Sequence, residues 1–209
     1  ITWLGRRVPA ACGDDLRGIF IGSEGTLGVA TKVVVRLVPL PASVITLLAV
    51  FDTVQQASET VSTIISAGMI PAAMEMMDRL TLQAAEAGLQ CGYPPDAGGV
   101  LLVELGGLPE VSGSQGVRVR AECLERGAVE VRLASTQRER ELLWRGRKGA
   151  IPSLGRLAPN YYILDGVVPR SKLVDVMEVV SAVSERYGIP IANVFHAGDG
   201  NLHPLVLFD

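Results

Sequence analysis

The chain has 209 residues, of which 48% are hydrophobic and 20% charged, and its net charge is −3. This composition indicates a globular protein of one or two domains with a buried core, and the lack of a basic cluster predicts no nucleic-acid partner. The apolar runs are too short to span a bilayer. Three widely spaced cysteines without a Cys-x-x-Cys pair argue against a disulfide framework and favour a cytoplasmic protein.

The ends of the chain suggest a fragment of a longer protein. The first residue is not an initiator Met, and the last residue comes directly after an apolar strand. We therefore expect further chain on either side in the intact protein.

The first informative segment is glycine-rich and reads Gly22-Ser23-Glu24-Gly25-Thr26-Leu27-Gly28. Its three glycines allow close approach of a partner to the backbone, and consecutive N–H groups can form an anion-binding nest. The spacing matches neither Gly-x-Gly-x-x-Gly nor a Walker loop, so an ordinary tight turn is the simpler interpretation of these residues alone. Residues 29–38 then alternate as a half-buried strand, and Pro39-Leu40-Pro41 marks the best domain boundary.

After the boundary, strands and helices alternate. The predicted strands are residues 44–51, 72–77, 100–105 and 129–133. Asp52 and Asp78 each cap a helix, and a third helix covers residues 117–126 after a glycine-rich loop at 106–116. This order is that of a ferredoxin-like split βαβ unit, and it predicts an α+β fold with a mostly antiparallel sheet.

The next helix, residues 137–154, carries the cluster Trp144-Arg145-Gly146-Arg147-Lys148. A solvated helix face explains such a cluster in most proteins, whereas a carboxylate or phosphate clamp would use the bidentate guanidinium fork. A strand at 161–164 then leads to a turn that contains Asp165, and an amphipathic helix covers residues 171–187. Asp165 could approach the histidine-containing segment that follows.

That segment, residues 196–203, reads His-Ala-Gly-Asp-Gly-Asn-Leu-His and contains the only two histidines of the chain. Apolar runs on both sides predict a hairpin with both imidazoles at its mouth. Neutral imidazole is the commonest metal ligand and a usual general base near neutral pH. From turn chemistry alone, solvated or structural histidines are the more common alternative.

Together these segments resemble the FAD-linked oxidases of the vanillyl-alcohol-oxidase type. The glycine-rich segment with the following Pro39-Leu40-Pro41 looks like the end of the FAD-binding domain. The helix with Trp144 and Arg147, the Asp165-Gly166-Val167-Val168-Pro169 turn and the histidine motif look like the C-terminal domain of FAD-linked 2-hydroxy-acid oxidoreductases. Among these, the FAD subunits of bacterial glycolate oxidases are most similar, followed by D-lactate dehydrogenases.

The resemblance implies a domain division and a set of site residues. Residues 1–41 would be the C-terminal end of an FAD-binding domain, and residues 42–209 a truncated, ferredoxin-like substrate or cap domain. The implied catalytic residues are His203, His196 and Arg147, with both histidines as metal ligands. The implied FAD contacts are Ser23, Glu24, Gly25, Gly28, Val29 and Asn201.

The implied reaction is FAD-dependent oxidation of a small 2-hydroxy acid, glycolate or D-lactate, to the 2-oxo acid. Metal-dependent relatives use a divalent ion (Zn, Mn or Fe) held by two histidines and a glutamate. The glutamate belongs to a later Glu-His motif that this chain lacks, so we expect weak metal binding and an inactive fragment. Relatives that act on dicarboxylates have threonine and lysine where this chain has Ile151 and Ile163, which favours a monocarboxylate.

The resemblance also implies companion subunits, including an iron–sulfur protein, and a cytoplasmic enzyme peripheral to the inner membrane. The alternative is a non-catalytic ferredoxin-like module for ligand binding or subunit docking. The two histidines and Arg147 distinguish the alternatives, because a docking module would not need them.

Overall fold

The computed structural model describes residues 16–209, with side chains from Arg17 onward. The chain divides into two compact units, Ile1–Leu40 and Pro41–Asp209. In the first unit, helix α1 (Leu16–Phe20) precedes the glycine-rich turn and an extended segment. None of the helices described is long and apolar enough to cross a membrane.

The prediction of a strand at residues 29–38 was wrong. The segment forms no strand, and side chains of both alternating faces, such as Val33 and Val34, are exposed. A strand is stabilised by hydrogen bonds to a neighbouring strand. No segment within residues 16–209 pairs with this one, so the alternating pattern alone does not produce a sheet.

The second unit contains an antiparallel sheet of eight strands in the order β4-β1-β3-β2-β7-β8-β5, with β6 paired to β8. The strands are β1 (Ser43–Phe51), β2 (Ala73–Asp78), β3 (Gly99–Gly107), β4 (Ala128–Leu133), β5 (Asn160–Ile163), β6 (Gly166–Val167), β7 (Ile191–His196) and β8 (Asn201–Phe208). The half formed by β1 to β4 is the predicted ferredoxin-like unit, and the mixed α/β fold with an antiparallel sheet is confirmed. The strands that follow extend this sheet beyond β2.

Helices cover both faces of the sheet. They are α2 (Val54–Ser66), α3 (Arg79–Leu89), α4 (Pro109–Glu125), α5 (Gln137–Ser153) and α6 (Leu173–Tyr187). Successive strand side chains point to opposite faces, so buried residues of β1 divide between two cores. Leu47 and Phe51 pack with α2, α4 and α6, whereas Leu48 and Val50 pack with α3 and α5.

Two helix starts differ from the prediction. Thr53, not Asp52, is the N-cap of α2, because its hydroxyl accepts from the N–H of Gln56 while the Gln56 side chain accepts from the N–H of Thr53. Helix α4 begins at Pro109 and includes most of the predicted loop. Proline suits a first helical turn. A Cβ atom at Gly116 would be in ordinary van der Waals contact with Ile45 and Leu105, so α4 packs closely on β1 and β3 at this glycine.

Asp78 caps α3, as predicted, and it is buried. Its Oδ1 accepts from the N–H of Thr81 at 3.0 Å, and its Oδ2 accepts from the amide of Asn193 on β7 at 2.9 Å. Burial raises the pKa of Asp78 above its ordinary value of 3.8, because the ionised carboxylate loses hydration, and this outweighs the lowering by Thr81 and Asn193.

We expect the contribution of Asp78 to stability to decrease as the pH rises. With a raised folded-state pKa, the folded chain binds more protons than the unfolded chain, so the unfolding free energy falls from about pH 4 up to the folded pKa, by at most ~1.4 kcal/mol per pH unit. Asp78→Asn retains a capping side chain and removes the titration. Urea unfolding of both proteins between about pH 4 and 8 should show the unfolding free energy of the wild-type chain falling relative to that of Asp78→Asn as the pH rises, and a constant difference would contradict the assignment.

Candidate functional site

The strand pairing brings three polar side chains to one face of the sheet. Strand β2 pairs with β7 at Met77 and Val194, and Val194 is in turn opposite His203 of β8. Glu75 and His196 lie two residues from these positions along their own strands, and side chains two residues apart share a face. Glu75, His196 and His203 therefore point toward the face that α3 and α5 cover.

Helix α5 supplies the fourth side chain, Arg147. Its Nε donates to Oε2 of Glu75 at 2.9 Å, and its Nη2 lies 2.7 Å from the same oxygen. The Nη2 contact is an ion pair without hydrogen-bond geometry, so Nη2 is buried without a hydrogen-bond partner among the described residues. Only 9% of each of the two side chains is exposed, so the charges compensate each other in a weakly screened environment.

His196 contacts the same carboxylate from the other side. Its Nδ1 lies 3.0 Å from Oε1 and 2.9 Å from Oε2 of Glu75. The imidazole is half-exposed, with 45% of its side-chain surface accessible. Glu75 thus joins a buried guanidinium to an accessible imidazole.

His203 is more enclosed than His196. The ring centroids of the two histidines are 5.3 Å apart and nearly perpendicular. Burial lowers the pKa of His203; nearby His196 and Arg147 act in the same direction, while Asp165 and Glu75 oppose them. The imidazole is therefore neutral at neutral pH, the form that accepts a proton or binds a metal.

The Nδ1 atom of His203 is buried without a hydrogen-bond partner within residues 16–209. Oδ1 of Asp165 is 3.7 Å away, which permits a charge interaction but is too long for a hydrogen bond. The structure confirms that the Asp165 turn approaches the histidine hairpin. It also leaves a ring nitrogen free to bind a further group.

The hairpin turn requires glycine at position 200. Residues 197–199 form one turn of 3-10 helix, and Gly200 follows with φ of +72°. A Cβ atom there would lie 2.2 Å from the carbonyl oxygen of Val168, whose N–H donates to the carbonyl of Gly200. This close approach attaches β6 and the Asp165 turn to the histidine hairpin.

The cationic cluster of α5 separates into different environments. Only Arg147 contacts the histidine site. Arg145 donates to the carbonyl of Leu89, Lys148 is exposed, and Trp144 donates to Glu104 at 2.6 Å. Burial raises the pKa of Glu104, but hydrogen bonds from Arg140 and Trp144 outweigh it and lower the pKa overall.

Asn201 lies opposite His196 in the strand pairing, and its Oδ1 is buried without a hydrogen-bond partner in the described part of the chain. Such an acceptor is available to a bound group. The other predicted FAD contacts belong to the first unit, where the glycine-rich turn is exposed. Gly22 and Gly25 have positive φ there, and a Cβ atom at either position would meet nothing within 4 Å. The backbone is therefore open to close approach, as a cofactor contact requires.

The sequence interpretation missed Glu75, the residue that connects the others. One signal was present, since Glu75 is the only charged residue in an otherwise apolar predicted strand, residues 72–77. Charged residues are rarely buried without a partner. The identity of that partner, 72 positions further along the chain, could not be read from the spacing.

The two imidazoles fit part of a metal site. His203 offers an unpartnered ring nitrogen, and the contact between His196 and Glu75 leaves Nε2 of His196 available. A divalent transition metal needs more ligands than these two. Residues 16–209 contain no group of three metal-ligating side chains in suitable positions.

Residues 40–209 match the model of the family described as FAD linked oxidases, C-terminal domain. The chain belongs to this family. It is 48% identical over 197 residues to the glycolate oxidase subunit GlcD of Escherichia coli (strain K12), covering 94% of this chain and 40% of the relative. It is also 38% identical to the GlcD subunit of Bacillus subtilis (strain 168), covering 98% and 44%, and 32% identical to a probable mitochondrial D-lactate dehydrogenase of Danio rerio, covering 95% and 40%.

Two solved structures share the fold. An alkyldihydroxyacetonephosphate synthase matches with a TM-score of 0.63 at 16% identity, over 94% of this chain and 43% of its own. A p-cresol methylhydroxylase with substrate bound matches with a TM-score of 0.59 at 14% identity, over 83% and 40%. The chain thus spans less than half the length of each of these proteins.

Proposed function

We propose that the whole protein is an FAD-dependent enzyme that oxidises a small 2-hydroxy acid, glycolate or D-lactate, to the 2-oxo acid. Residues 1–41 would end the FAD-binding domain and residues 42–209 would form the substrate domain. The observation that carries the proposal is the buried Arg147–Glu75 pair, which contacts the accessible His196 beside neutral His203. The relatives named as glycolate oxidase subunits and D-lactate dehydrogenase support it.

Each side chain has a defined task in this proposal. Arg147 binds the substrate carboxylate through its guanidinium group. His203, kept neutral by burial, accepts the proton of the substrate hydroxyl. When bound, FAD would supply the acceptor for the C2 hydrogen as hydride, so that proton and hydride together would account for the oxidation.

A metal would use the same imidazoles. His196 and His203 would supply two ligands to a divalent ion, which would polarise the substrate hydroxyl. A ring nitrogen that binds a metal cannot also accept a proton, so base and ligand are alternative roles for one nitrogen of His203.

The FAD contacts proposed for this chain are Ser23, Glu24, Gly25, Gly28, Val29 and Asn201.

The surroundings of Arg147 favour a substrate with one carboxylate. Ile151, one turn later on α5, packs against the apolar core, and Ile163 ends β5. Neither side chain can pair with a second carboxylate, which would be left without a counter-charge. A short monocarboxylate therefore suits the site better than a dicarboxylate.

The relatives named as subunits also support companion subunits for the whole protein. We propose that one of them is an iron–sulfur protein that receives electrons from the flavin, with the assembly at the inner face of the membrane. In the alternative, a non-catalytic docking module, the buried Arg147–Glu75 ion pair would only hold α5 against the sheet.

Anaerobic mixing of the whole protein with glycolate, D-lactate and a four-carbon dicarboxylic 2-hydroxy acid tests the proposal. We expect glycolate or D-lactate to bleach the flavin absorbance and the dicarboxylate to leave it unchanged. Repeating the experiment after treatment with a chelator separates the two roles of the imidazoles, because bleaching that survives complete metal removal supports His203 as the base. Failure of both monocarboxylates to bleach the flavin would overturn the proposed function.

A further inference from the structure

Among residues 16–209, Glu75 is the one side chain that pairs with both Arg147 and His196. Only 9% of its side-chain surface is exposed, and its carboxylate lies between the guanidinium on α5 and the imidazole at the end of β7. Arg147 and His196 form no hydrogen bond with each other, and each forms one with Glu75. The Glu75 carboxylate therefore links the two side chains.

We infer that Glu75 is a positioning residue that fixes His196 as its Nδ1–H tautomer and orients the guanidinium of Arg147. The inference rests on the proposed function, because it assigns Glu75 a role toward groups of that same site. Glu75 itself touches neither substrate nor cofactor in this proposal and acts only through its two partners.

The tautomer follows from the chemistry of the contact. A carboxylate that faces a permanently charged guanidinium only accepts hydrogen bonds. Nδ1 of His196 lies within 3.0 Å of both carboxylate oxygens, so Nδ1 must carry the hydrogen. The lone pair is then on Nε2, and this is the nitrogen available to a divalent cation or to a proton.

The same contact sets the direction of Arg147. Nε donates to Oε2, and Nη2 lies against the same oxygen without donating to it. Two contacts to one oxygen fix the plane of the guanidinium. One carboxylate thus fixes both the tautomer of His196 and the orientation of Arg147.

A purely structural role for Glu75 would also be expected to stabilise the fold, since it forms a buried ion pair. Stability measurements alone do not distinguish the two roles. The tautomer of His196 does, because an ion pair that only held α5 against the sheet would not require the hydrogen to be on a particular ring nitrogen.

Glu75→Gln makes the distinction measurable. The amide oxygen of the substituted side chain would face the two nitrogens of Arg147, which only donate, so its NH₂ group would face Nδ1 of His196. A donor in the place of Oε1, 3.0 Å from Nδ1, favours a lone pair on Nδ1 and hydrogen on Nε2. We therefore expect this substitution to shift the tautomer of His196 toward Nε2–H.

Long-range ¹H–¹⁵N spectra of the ¹⁵N-labelled chain, at a pH where both imidazoles are neutral, report the tautomer directly. With only two histidines in the sequence, a His196→Gln variant assigns the signals. We expect Nδ1–H in the wild-type chain and Nε2–H in Glu75→Gln. An Nε2–H wild-type signal, or an unchanged Nδ1–H signal in the variant, would overturn the inference.

Glu104→Gln is the matched control. Glu104 is also a partly buried carboxylate that pairs with an arginine, Arg140, and also accepts from Trp144, but it makes no contact with His196. The Glu104→Gln variant should be less stable than the wild-type chain and should keep the wild-type tautomer of His196. A tautomer change in this control would mean that the signal reports general loosening of the fold, which would overturn the inference.

The whole protein gives a second, independent readout. Loss of a hydrogen bond to a metal-ligating histidine weakens metal affinity by about 10- to 100-fold, so Glu75→Gln should weaken metal binding by that factor relative to Glu104→Gln. Equal metal affinity in the two variants would contradict the positioning role. If the tautomer behaves as expected but no 2-hydroxy acid reduces the flavin, the proposed function fails while the assignment of Glu75 stands.

Discussion

His203→Ala in the whole protein is expected to abolish reduction of the flavin by glycolate while the flavin stays bound. Burial keeps this imidazole neutral, and its Nδ1 has no hydrogen-bond partner within residues 16–209, so it is the group best prepared to accept a proton or a metal. Removal of a general base typically lowers the rate by about 10²- to 10⁴-fold. The measurement is the anaerobic rate of flavin bleaching at saturating glycolate.

Asp165→Asn is the control for this variant. Asp165 approaches Nδ1 of His203 only to 3.7 Å, and its side chain is largely exposed. Its substitution should change the bleaching rate far less than loss of the imidazole. The absorbance spectrum of the bound flavin verifies that each variant retains the cofactor. Bleaching of His203→Ala at the wild-type rate would remove the catalytic role assigned to His203.

The histidine hairpin was predictable because its information is local. Two glycines between two apolar runs specify a turn, and the period of two places side chains on defined faces of the flanking strands. The structure confirms the hairpin from His196 to His203 and the approach of Asp165. The ferredoxin-like part of the sheet was predictable for the same reason, since each strand and helix has its own pattern.

The rest of the site depends on partners that local patterns do not specify. The contact between Glu75 and Arg147 joins residues 72 positions apart, on β2 and on helix α5. The contact between Glu75 and His196 requires β2 and β7 to be neighbours in the sheet. Residues 29–38 show the opposite case, because the alternating pattern is present and no strand forms. An alternating sequence pattern shows that a segment is able to form a strand, and the strand forms only where a neighbouring strand pairs with it.

Arg147→Ala is expected to destabilise the fold and to impair catalysis through two separate effects. It leaves Glu75 buried without its guanidinium partner, and breaking a buried ion pair typically costs about 3–5 kcal/mol. It also removes the proposed contact to the substrate carboxylate, worth roughly 2–4 kcal/mol when desolvated, so KM should rise and kcat/KM should fall further than stability alone explains. Lys148→Ala, at the next and exposed position of α5, should change stability by no more than about 0.5 kcal/mol.

A double variant separates the two effects of Arg147. Replacing both members of a buried ion pair by apolar residues of similar size removes the uncompensated charge, so Arg147→Met with Glu75→Leu should regain most of the stability that Arg147→Ala loses. It should not regain kcat/KM, since neither apolar side chain can bind a carboxylate and His196 also loses the carboxylate that positions it. Urea unfolding and steady-state kinetics on the same preparations provide both values. Recovery of kcat/KM together with stability would show that Arg147 acts by holding α5 on the sheet and does not bind the substrate.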